Sequence, residues 1–236
     1  MVSFLMMGQS NMSGRGLLNE VHPLPGDRLF MLRNGRWQPL KEPVSCDRPF
    51  AGISLAPMFA RLYADEHPQE EIGLIPCAEG GANLEIDWCV GGLLYDHALM
   101  QAKLAMRTST LKAILWHQGE GDSCEHRASL YGVRLERLLD AFRSDLDLPD
   151  LPVMVGGLGD YLEKSTEKEK YASYAEVNRQ LRQLCSEHKE WMYADASGLE
   201  CNADGLHFSA PSLRKFGERY YEQWKKWEKL SQNDCI

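Results

Sequence analysis

The chain alternates short apolar runs with longer segments in which apolar residues recur every three to four positions. The apolar runs have the length of buried strands, and the periodic segments are typical of helices packed on one face. The strand candidates are 2–7, 72–76, 112–116, 152–156 and 191–194. The helix candidates are 54–65, 97–107, 130–142, 171–186 and a last helix after residue 209. This alternation predicts a single α/β domain over 1–236, a three-layer α/β/α sandwich with a central, mostly parallel sheet of about five strands.

Two further patterns refine this architecture. The run from Arg28 to Pro39 contains Asn34-Gly35, a pair typical of a tight hairpin turn, and predicts a small β-ribbon that decorates the first crossover. The helix candidate at 130–142 carries an apolar stripe that we expect to face the core. Its members are Leu130, Val133, Leu138, Leu139 and Phe142.

The first candidate for chemistry is Ser10, which directly follows the first apolar run in the segment Met7-Gly-Gln-Ser-Asn-Met12. Gly8 allows a sharp bend after the strand, so the Ser10 hydroxyl is expected at a sheet edge. A helix beginning near Asn11 would place its positive end beside that hydroxyl. Taken alone, the motif is also typical of a helix cap, and a serine nucleophile needs a neighbouring base.

A candidate base lies near the other end of the chain, in Asn202-Ala-Asp-Gly-Leu-His-Phe-Ser209. The spacing of Asp204 and His207 around Gly205 allows the carboxylate to bind one imidazole nitrogen and leaves the other free to accept a proton. An isolated pair of this kind is more often a turn cap and an ordinary loop histidine. Other polar clusters therefore decide the interpretation.

Two such clusters follow two other strand candidates. His117-Gln-Gly-Glu-Gly-Asp122 comes directly after the run 112–116, and Cys77-Ala-Glu-Gly-Gly-Ala-Asn83 comes after 72–76. Ligands of open α/β sheets bind beyond the carboxyl ends of the strands, so all four clusters are expected to converge there. The paired glycines could bring backbone N–H groups close to a ligand, as an oxyanion site requires.

Together the four clusters resemble the SGNH hydrolase superfamily, and within it the branch of carbohydrate esterase family 6 and the sialic-acid acetylesterases. The resemblance rests on Gly8-Gln-Ser-Asn-Met12, Gly80-Gly81, Trp116-His-Gln-Gly-Glu120 and Asp204-Gly-Leu-His207. It implies the flavodoxin-like SGNH fold. Two positions depart from the usual pattern: Ala82 stands where relatives commonly have threonine, and Gly121 where they commonly have serine.

The resemblance also implies roles for individual residues. Ser10 would be the nucleophile, His207 the general base and Asp204 its orienting carboxylate. The oxyanion hole would comprise the backbone N–H of Ser10, that of Gly80 or Gly81, and the side-chain amide of Gln118. The candidates for contacting substrate or orienting loops are Gln9, Asn11, Arg48 and Glu120.

The implied reaction is removal of O-acetyl groups from carbohydrates, such as acetylated xylo-oligosaccharides or an O-acetyl sialic acid, through an acyl-enzyme. Two alternatives stay open: a lipase or thioesterase of the same superfamily, and a catalytically silent carbohydrate-binding protein. A serine mechanism needs no cofactor. His117, His126, Glu120 and Asp122 lack the spacing of the common zinc motifs, so no metal is expected.

Composition limits the remaining possibilities. The 236 residues are 44% hydrophobic and 25% charged, which suits one globular domain, and the net charge of −8 argues against nucleic acid as a partner. No apolar run reaches the roughly 20 residues needed to span a bilayer. The seven cysteines lack paired short spacings, and no secretory signal is evident, so we expect a cytoplasmic protein unless a leader has been removed. The oligomeric state is left open.

Overall fold

The structure is a computed structural model that describes residues 1–24 and 26–233. Its described part contains seven β-strands and seven α-helices. The strands are β1 (Val2–Gly8), β2 (Leu29–Arg33), β3 (Arg36–Pro39), β4 (Ile72–Pro76), β5 (Thr110–His117), β6 (Val153–Gly156) and β7 (Trp191–Ala194). The helices are α1 (Ser10–Ser13), α2 (Ala56–Glu66), α3 (Leu93–Ala105), α4 (Glu125–Ala128), α5 (Tyr131–Asp145), α6 (Tyr174–Glu187) and α7 (Ala210–Asn233). Short 3-10 helices span Glu120–Asp122, Asp160–Lys164 and Lys168–Tyr171.

All seven strands form one sheet in the order β3-β2-β4-β1-β5-β6-β7. Every neighbouring pair is parallel except β2 and β3, which are antiparallel. The predicted α/β sandwich with a mostly parallel sheet is thereby confirmed, but about five strands was too few. The hairpin does not merely decorate the crossover, because β2 pairs with β4 and extends the sheet by two strands.

The sheet is buried on both faces, which explains why its central strands are almost continuously apolar. Along β1, Phe4 and Met6 point into a core shared with α2 and α7. The intervening Leu5 and Met7 point into a second core shared with α3, α5 and α6. This alternation is the two-residue period of a strand, and it places the helices in two layers around the sheet.

The apolar stripe predicted on α5 is only partly correct. Leu138, Leu139 and Phe142 are buried, whereas Leu130 is 42% exposed and Val133 is 68% exposed. The core contact of this helix is continued instead by Tyr131 and Leu135. A shift of about one residue around the helix produces this difference, because each residue advances the direction of its side chain by about 100°.

The structure also shows the state of the cysteines and the character of the helices. The cysteines within the described residues are free thiols, and Cys235 lies outside those residues. Among the helices of the described part, none combines the length and apolar character needed to cross a bilayer.

Candidate active site

Ser10 is placed by the meeting of β1 and β5 at the middle of the sheet. Gly8 is in register with His117, and its φ is +129°. A Cβ atom at Gly8 would lie 2.0 Å from the His117 carbonyl oxygen, so only glycine fits this close approach. The next N–H, that of Gln9, donates to the same carbonyl at 2.9 Å. The chain then turns into α1 with Ser10 as its first residue.

Ser10 does not act as a helix cap. The residue at the N-cap position of α1 is Gln9, and no side chain caps that end. The Ser10 hydroxyl instead faces the loop that precedes α7, where it meets the imidazole of His207 with 3.0 Å between Oγ and Nε2. Ser10 is buried, with 5% of its surface exposed, and it lines a cavity.

The loop before α7 orients the His207 imidazole through Asp204. The Asp204 Oδ2 atom lies 2.8 Å from His207 Nδ1, and Oδ1 accepts the backbone N–H groups of Leu206 and His207 at 2.9 Å and 3.0 Å. Gly205 has a φ of +66°, which allows the tight turn between the two residues. The imidazole therefore presents its other nitrogen, Nε2, to the Ser10 hydroxyl.

The same contacts control the ionisation of Asp204. Partial burial on its own raises the pKa of this carboxyl group, but hydrogen bonds from the backbone and ring of His207 and from the Leu206 N–H outweigh it. The pKa of Asp204 is therefore held below its ordinary value of 3.8. An ionised carboxylate beside Nδ1 favours the tautomer that carries its proton there.

The two glycines proposed for the oxyanion hole differ in what their N–H groups can do. The Gly80 N–H donates to Asp47 Oδ2 at 2.9 Å and is thus already engaged. Within the described residues, the N–H groups of Gly81 and Ser10 have no recorded acceptor, and both residues line the cavity. Gly81 has a φ of +85°, a conformation that favours glycine. Of the two, the geometry favours Gly81 as the donor.

Gln118 does not occupy the position predicted for it. Its side chain is fully buried, and its amide nitrogen donates to Asp122 Oδ2 at 2.6 Å and to the Ala82 carbonyl at 3.1 Å. Both amide hydrogens are thus engaged with acceptors of the protein, and Gln118 does not line the cavity. Burial raises the pKa of Asp122, and the hydrogen bonds from Gln118 and the Leu84 N–H oppose that rise. The expected oxyanion contact from Gln118 is therefore not made.

Gln9, Asn11 and Glu120 tie the loops of the cavity together. The Gln9 side-chain oxygen accepts the N–H of Gly121 at 3.1 Å. Asn11 donates to Glu120 Oε1 at 2.5 Å, and its own side-chain oxygen accepts the Phe208 N–H at 3.1 Å. Asn11 thus connects the segment after β5 to the residue next to His207.

Arg48 reaches the cavity, but its guanidinium is engaged in an ion pair with Glu79 and also donates to the Gly80 carbonyl at 3.2 Å. Three further lining residues were not singled out from the sequence, namely Arg15, Phe50 and Tyr171. No motif marks them, because they come from separate segments of the chain and only the fold brings them together.

All four predicted clusters meet at this one cavity, which measures about 380 Å³. Its lining residues are Gln9, Ser10, Arg15, Arg48, Phe50, Gly80, Gly81, Glu120, Gly121, Tyr171, Leu206 and His207. The two departures from the family pattern are neighbours here, since a Cβ at Gly121 would lie 2.8 Å from the Ala82 carbonyl oxygen. Strands that end at one sheet edge explain the convergence.

The histidines and carboxylates weighed as metal ligands are not gathered around one point. His117 Nε2 lies 3.4 Å from Glu120 Oε1, whereas His126 lies beside Glu85 on the surface. In the described part of the chain, no group of three or more His, Cys, Asp or Glu side chains is arranged to hold a metal ion.

Comparison with known proteins finds similar proteins that are named as carbohydrate esterases. A protein from Arabidopsis thaliana named as a probable carbohydrate esterase is 28% identical over 239 residues, covering 91% of this chain and 86% of its own. The crystal structure of that protein superposes with a TM-score of 0.84 at 26% identity, covering 95% of this chain and 97% of its own. A carbohydrate acetylesterase from Xanthomonas citri shares the fold at 15% identity, with a TM-score of 0.66 over 93% of this chain and 55% of its own.

The family model described as carbohydrate esterase, sialic acid-specific acetylesterase matches residues 1–226, which is nearly the whole chain. The resemblance to the sialic-acid acetylesterase branch of the carbohydrate esterases, drawn from four short motifs, is thereby confirmed. The chain belongs to this family of carbohydrate esterases, which are carboxylic-ester hydrolases.

Proposed function

We propose that this protein is a serine esterase that removes O-acetyl groups from carbohydrates, with Ser10, His207 and Asp204 as its catalytic triad. The observation that carries the proposal is the continuous contact from Asp204 Oδ2 to His207 Nδ1 and from His207 Nε2 to Ser10 Oγ. A hydroxyl, a base and an orienting carboxylate in this order are what nucleophilic catalysis by serine requires. Acetylated xylo-oligosaccharides and O-acetyl sialic acids are the candidate substrates.

In the first half-reaction His207 Nε2 accepts the Ser10 proton while Ser10 Oγ bonds to the carbonyl carbon of the acetyl group. The bond from that carbon to the sugar oxygen then breaks, and His207 returns the proton to the departing hydroxyl. In the second half-reaction a water molecule gives its proton to His207 and attacks the acetyl-enzyme. Acetate leaves and Ser10 recovers its hydroxyl.

The oxyanion of each tetrahedral intermediate would be bound by the N–H groups of Ser10 and Gly81, which line the cavity and have no recorded acceptor in the described part of the chain. Donors already in place cost no reorganisation when the charge develops, and losing one typically costs about 2.7–4 kcal/mol of transition-state stabilisation. Gly80 would contribute indirectly, because its bond to Asp47 holds the glycine loop in position.

Asn11 and Glu120 would orient the loop that carries His207. Asn11 joins Glu120 to the N–H of Phe208, the residue directly after the proposed base. This connection limits how far the imidazole can move from Ser10. Gln9 would hold the neighbouring segment in the same manner, through the N–H of Gly121.

The test is acetate release by purified wild type, Ser10→Ala and Ser186→Ala. Ser186 is a matched control because it lies exposed on α6. The substrates are 4-nitrophenyl acetate, butyrate and octanoate, an acetylated xylo-oligosaccharide and an O-acetyl sialic acid. We expect turnover that favours acetate, is lost in Ser10→Ala and persists in Ser186→Ala.

Two results would replace the proposal with another function. A rate that grows with acyl chain length would identify a lipase or thioesterase. If the protein binds sugars but shows no turnover that is lost in Ser10→Ala, it is a catalytically silent carbohydrate-binding protein.

A further inference from the structure

Phe50 is an aromatic side chain that stays 69% exposed at the rim of the proposed active site. The Phe50 ring is supported by Arg15, because the Arg15 guanidinium carbon lies over it at 5.2 Å from the ring centroid. Arg15 is itself fixed by the Asp47 carboxylate at 2.6 Å and by the Gly14 carbonyl at 2.7 Å. The fold therefore presents a supported aromatic surface to the solvent beside Ser10.

A second cavity, of about 510 Å³, adjoins the one that contains Ser10. Three residues line both cavities, namely Arg15, Phe50 and His207. Phe50 and the proposed general base, His207, therefore both lie on the border between the cavities. A substrate whose acetyl group reaches Ser10 could continue over Phe50 into the second cavity.

The second cavity combines apolar and polar groups. Leu17 adds a side chain that is 53% exposed, and Asn202, Ser209 and Glu20 bring amide, hydroxyl and carboxylate groups to its wall. Exposed apolar groups beside polar ones are typical of a ligand groove. A sugar ring has the matching chemistry, since its C–H faces are apolar and its edge carries hydroxyls.

The charges around the two cavities favour a neutral sugar. Arg15 is paired with Asp47 and Arg48 with Glu79, so among the described lining residues no arginine or lysine is left without a carboxylate. Asp204 adds a further negative charge to the second cavity. A carboxylate on the substrate would have to compete with these pairs or face this charge.

We propose that Phe50 is the stacking platform for the sugar next to the acetylated one in a neutral oligosaccharide, and that it determines specificity for oligosaccharides over single sugars. The inference rests on the proposed function and adds a second sugar subsite to it. The electron-rich face of the Phe50 ring attracts the C–H groups of a pyranose, and the Arg15 contact restricts the ring so that little freedom is lost on binding.

The kinetic test compares wild type, Phe50→Leu and Phe50→Trp on three substrates: an acetylated xylotriose, an acetylated xylose and 4-nitrophenyl acetate. For Phe50→Leu we expect KM for acetylated xylotriose to rise about 3–10-fold, and kcat/KM on this substrate to fall relative to the other two by the same factor. Phe50→Trp keeps the platform and should retain the low KM. Val133→Ala is the control, because Val133 is 68% exposed on α5 and lines neither cavity.

A binding measurement separates this inference from the proposed function. Calorimetry with unacetylated xylotriose is carried out on Ser10→Ala and on Ser10→Ala with Phe50→Leu, so that turnover plays no part. A Kd raised about 3–10-fold by the Phe50 change supports the platform even if no ester is hydrolysed. If the esterase proposal alone fails, wild type will show no turnover that is lost in Ser10→Ala, while the Phe50 change will still raise the Kd for xylotriose.

Several results would overturn the platform. An equal change in kcat/KM on all three substrates would show that Phe50 shapes the reaction cavity rather than a second subsite. An unchanged KM for acetylated xylotriose together with an unchanged Kd for xylotriose would exclude stacking. A higher kcat/KM on an O-acetyl sialic acid than on the acetylated xylotriose would contradict the neutral substrate.

Discussion

The His207 Nε2 atom lies 3.0 Å from the Ser10 Oγ atom, although the two residues are 197 positions apart in the chain. Ser10 follows the central strand β1, and His207 comes from the loop before the last helix, α7. Each belongs to a separate segment whose position is fixed by the sheet. The contact between them therefore forms only when the fold has placed both segments, and it joins the two residues into one functional unit.

Residues that act as a unit should show losses that do not multiply. We expect Ser10→Ala and His207→Ala each to lower kcat on 4-nitrophenyl acetate by about 10³–10⁶-fold, and the double variant to lose about as much as either single variant. Steady-state kinetics of the three variants checks this. Losses that multiply would show that the two side chains act independently.

Asp204→Asn should lower kcat by about 10²–10⁴-fold, because an amide can donate to Nδ1 and favour the wrong imidazole tautomer. KM should change little, since the carboxylate is turned toward the imidazole. Asp65→Asn is a matched control: the Asp65 side chain is 46% exposed and that of Asp204 47%. A loss of less than tenfold in Asp204→Asn would mean that His207 is oriented by another group.

Gln118→Leu tests whether the amide supports the fold or the oxyanion. Because both of its hydrogens go to Asp122 and Ala82, we expect the free energy of unfolding in urea to fall by about 1–3 kcal/mol. The kcat of the folded variant should fall far less than the 10²–10³-fold typical of a lost oxyanion donor, about tenfold at most. Gln183→Leu on the exposed face of α6 is the control. A large loss of kcat with unchanged stability would restore Gln118 as an oxyanion donor.

Glu120→Gln should change how stability depends on pH. Burial on its own raises the pKa of Glu120, but the His117 imidazole and the hydrogen bond from Asn11 help to outweigh it and leave the pKa below its ordinary 4.5. A lowered pKa means that the ionised form stabilises the folded state above about pH 4.5 and that this contribution is lost as the pH falls through the folded-state pKa.

The gap in unfolding free energy between wild type and Glu120→Gln should therefore be constant near neutral pH and narrow below about pH 4.5. Urea titrations between neutral and acidic pH measure it. Glu187→Gln, at the exposed end of α6, serves as the reference for a surface carboxylate. A gap that widens on acidification would mean that the pKa of Glu120 is raised rather than lowered.

Local patterns predicted the strands and helices well, because side-chain periodicity records which face of an element is buried. They did less well where an element borders solvent. The hairpin 28–39 was recognised from Asn34-Gly35, but its pairing with β4 could not be read from it, since an edge strand is chosen by contacts distant in sequence. On α5, Leu130 and Val133 fit a helical stripe and are nevertheless exposed.

The amino-acid sequence by itself determined that polar clusters follow buried parallel strands, and that one of them carries serine and another histidine with aspartate. Parallel strands that end at one edge of a sheet make the meeting of such clusters a consequence of topology. Only the tertiary structure decided which groups bind which. Asp47 engages Gly80 and leaves Gly81 without a recorded acceptor in the described part of the chain, Asp122 engages Gln118, and Arg15 supports Phe50. A hydrogen bond forms only when its donor and acceptor are positioned to within a few tenths of an ångström. Where the two groups come from loops of separate crossovers, no local pattern of residues encodes that position.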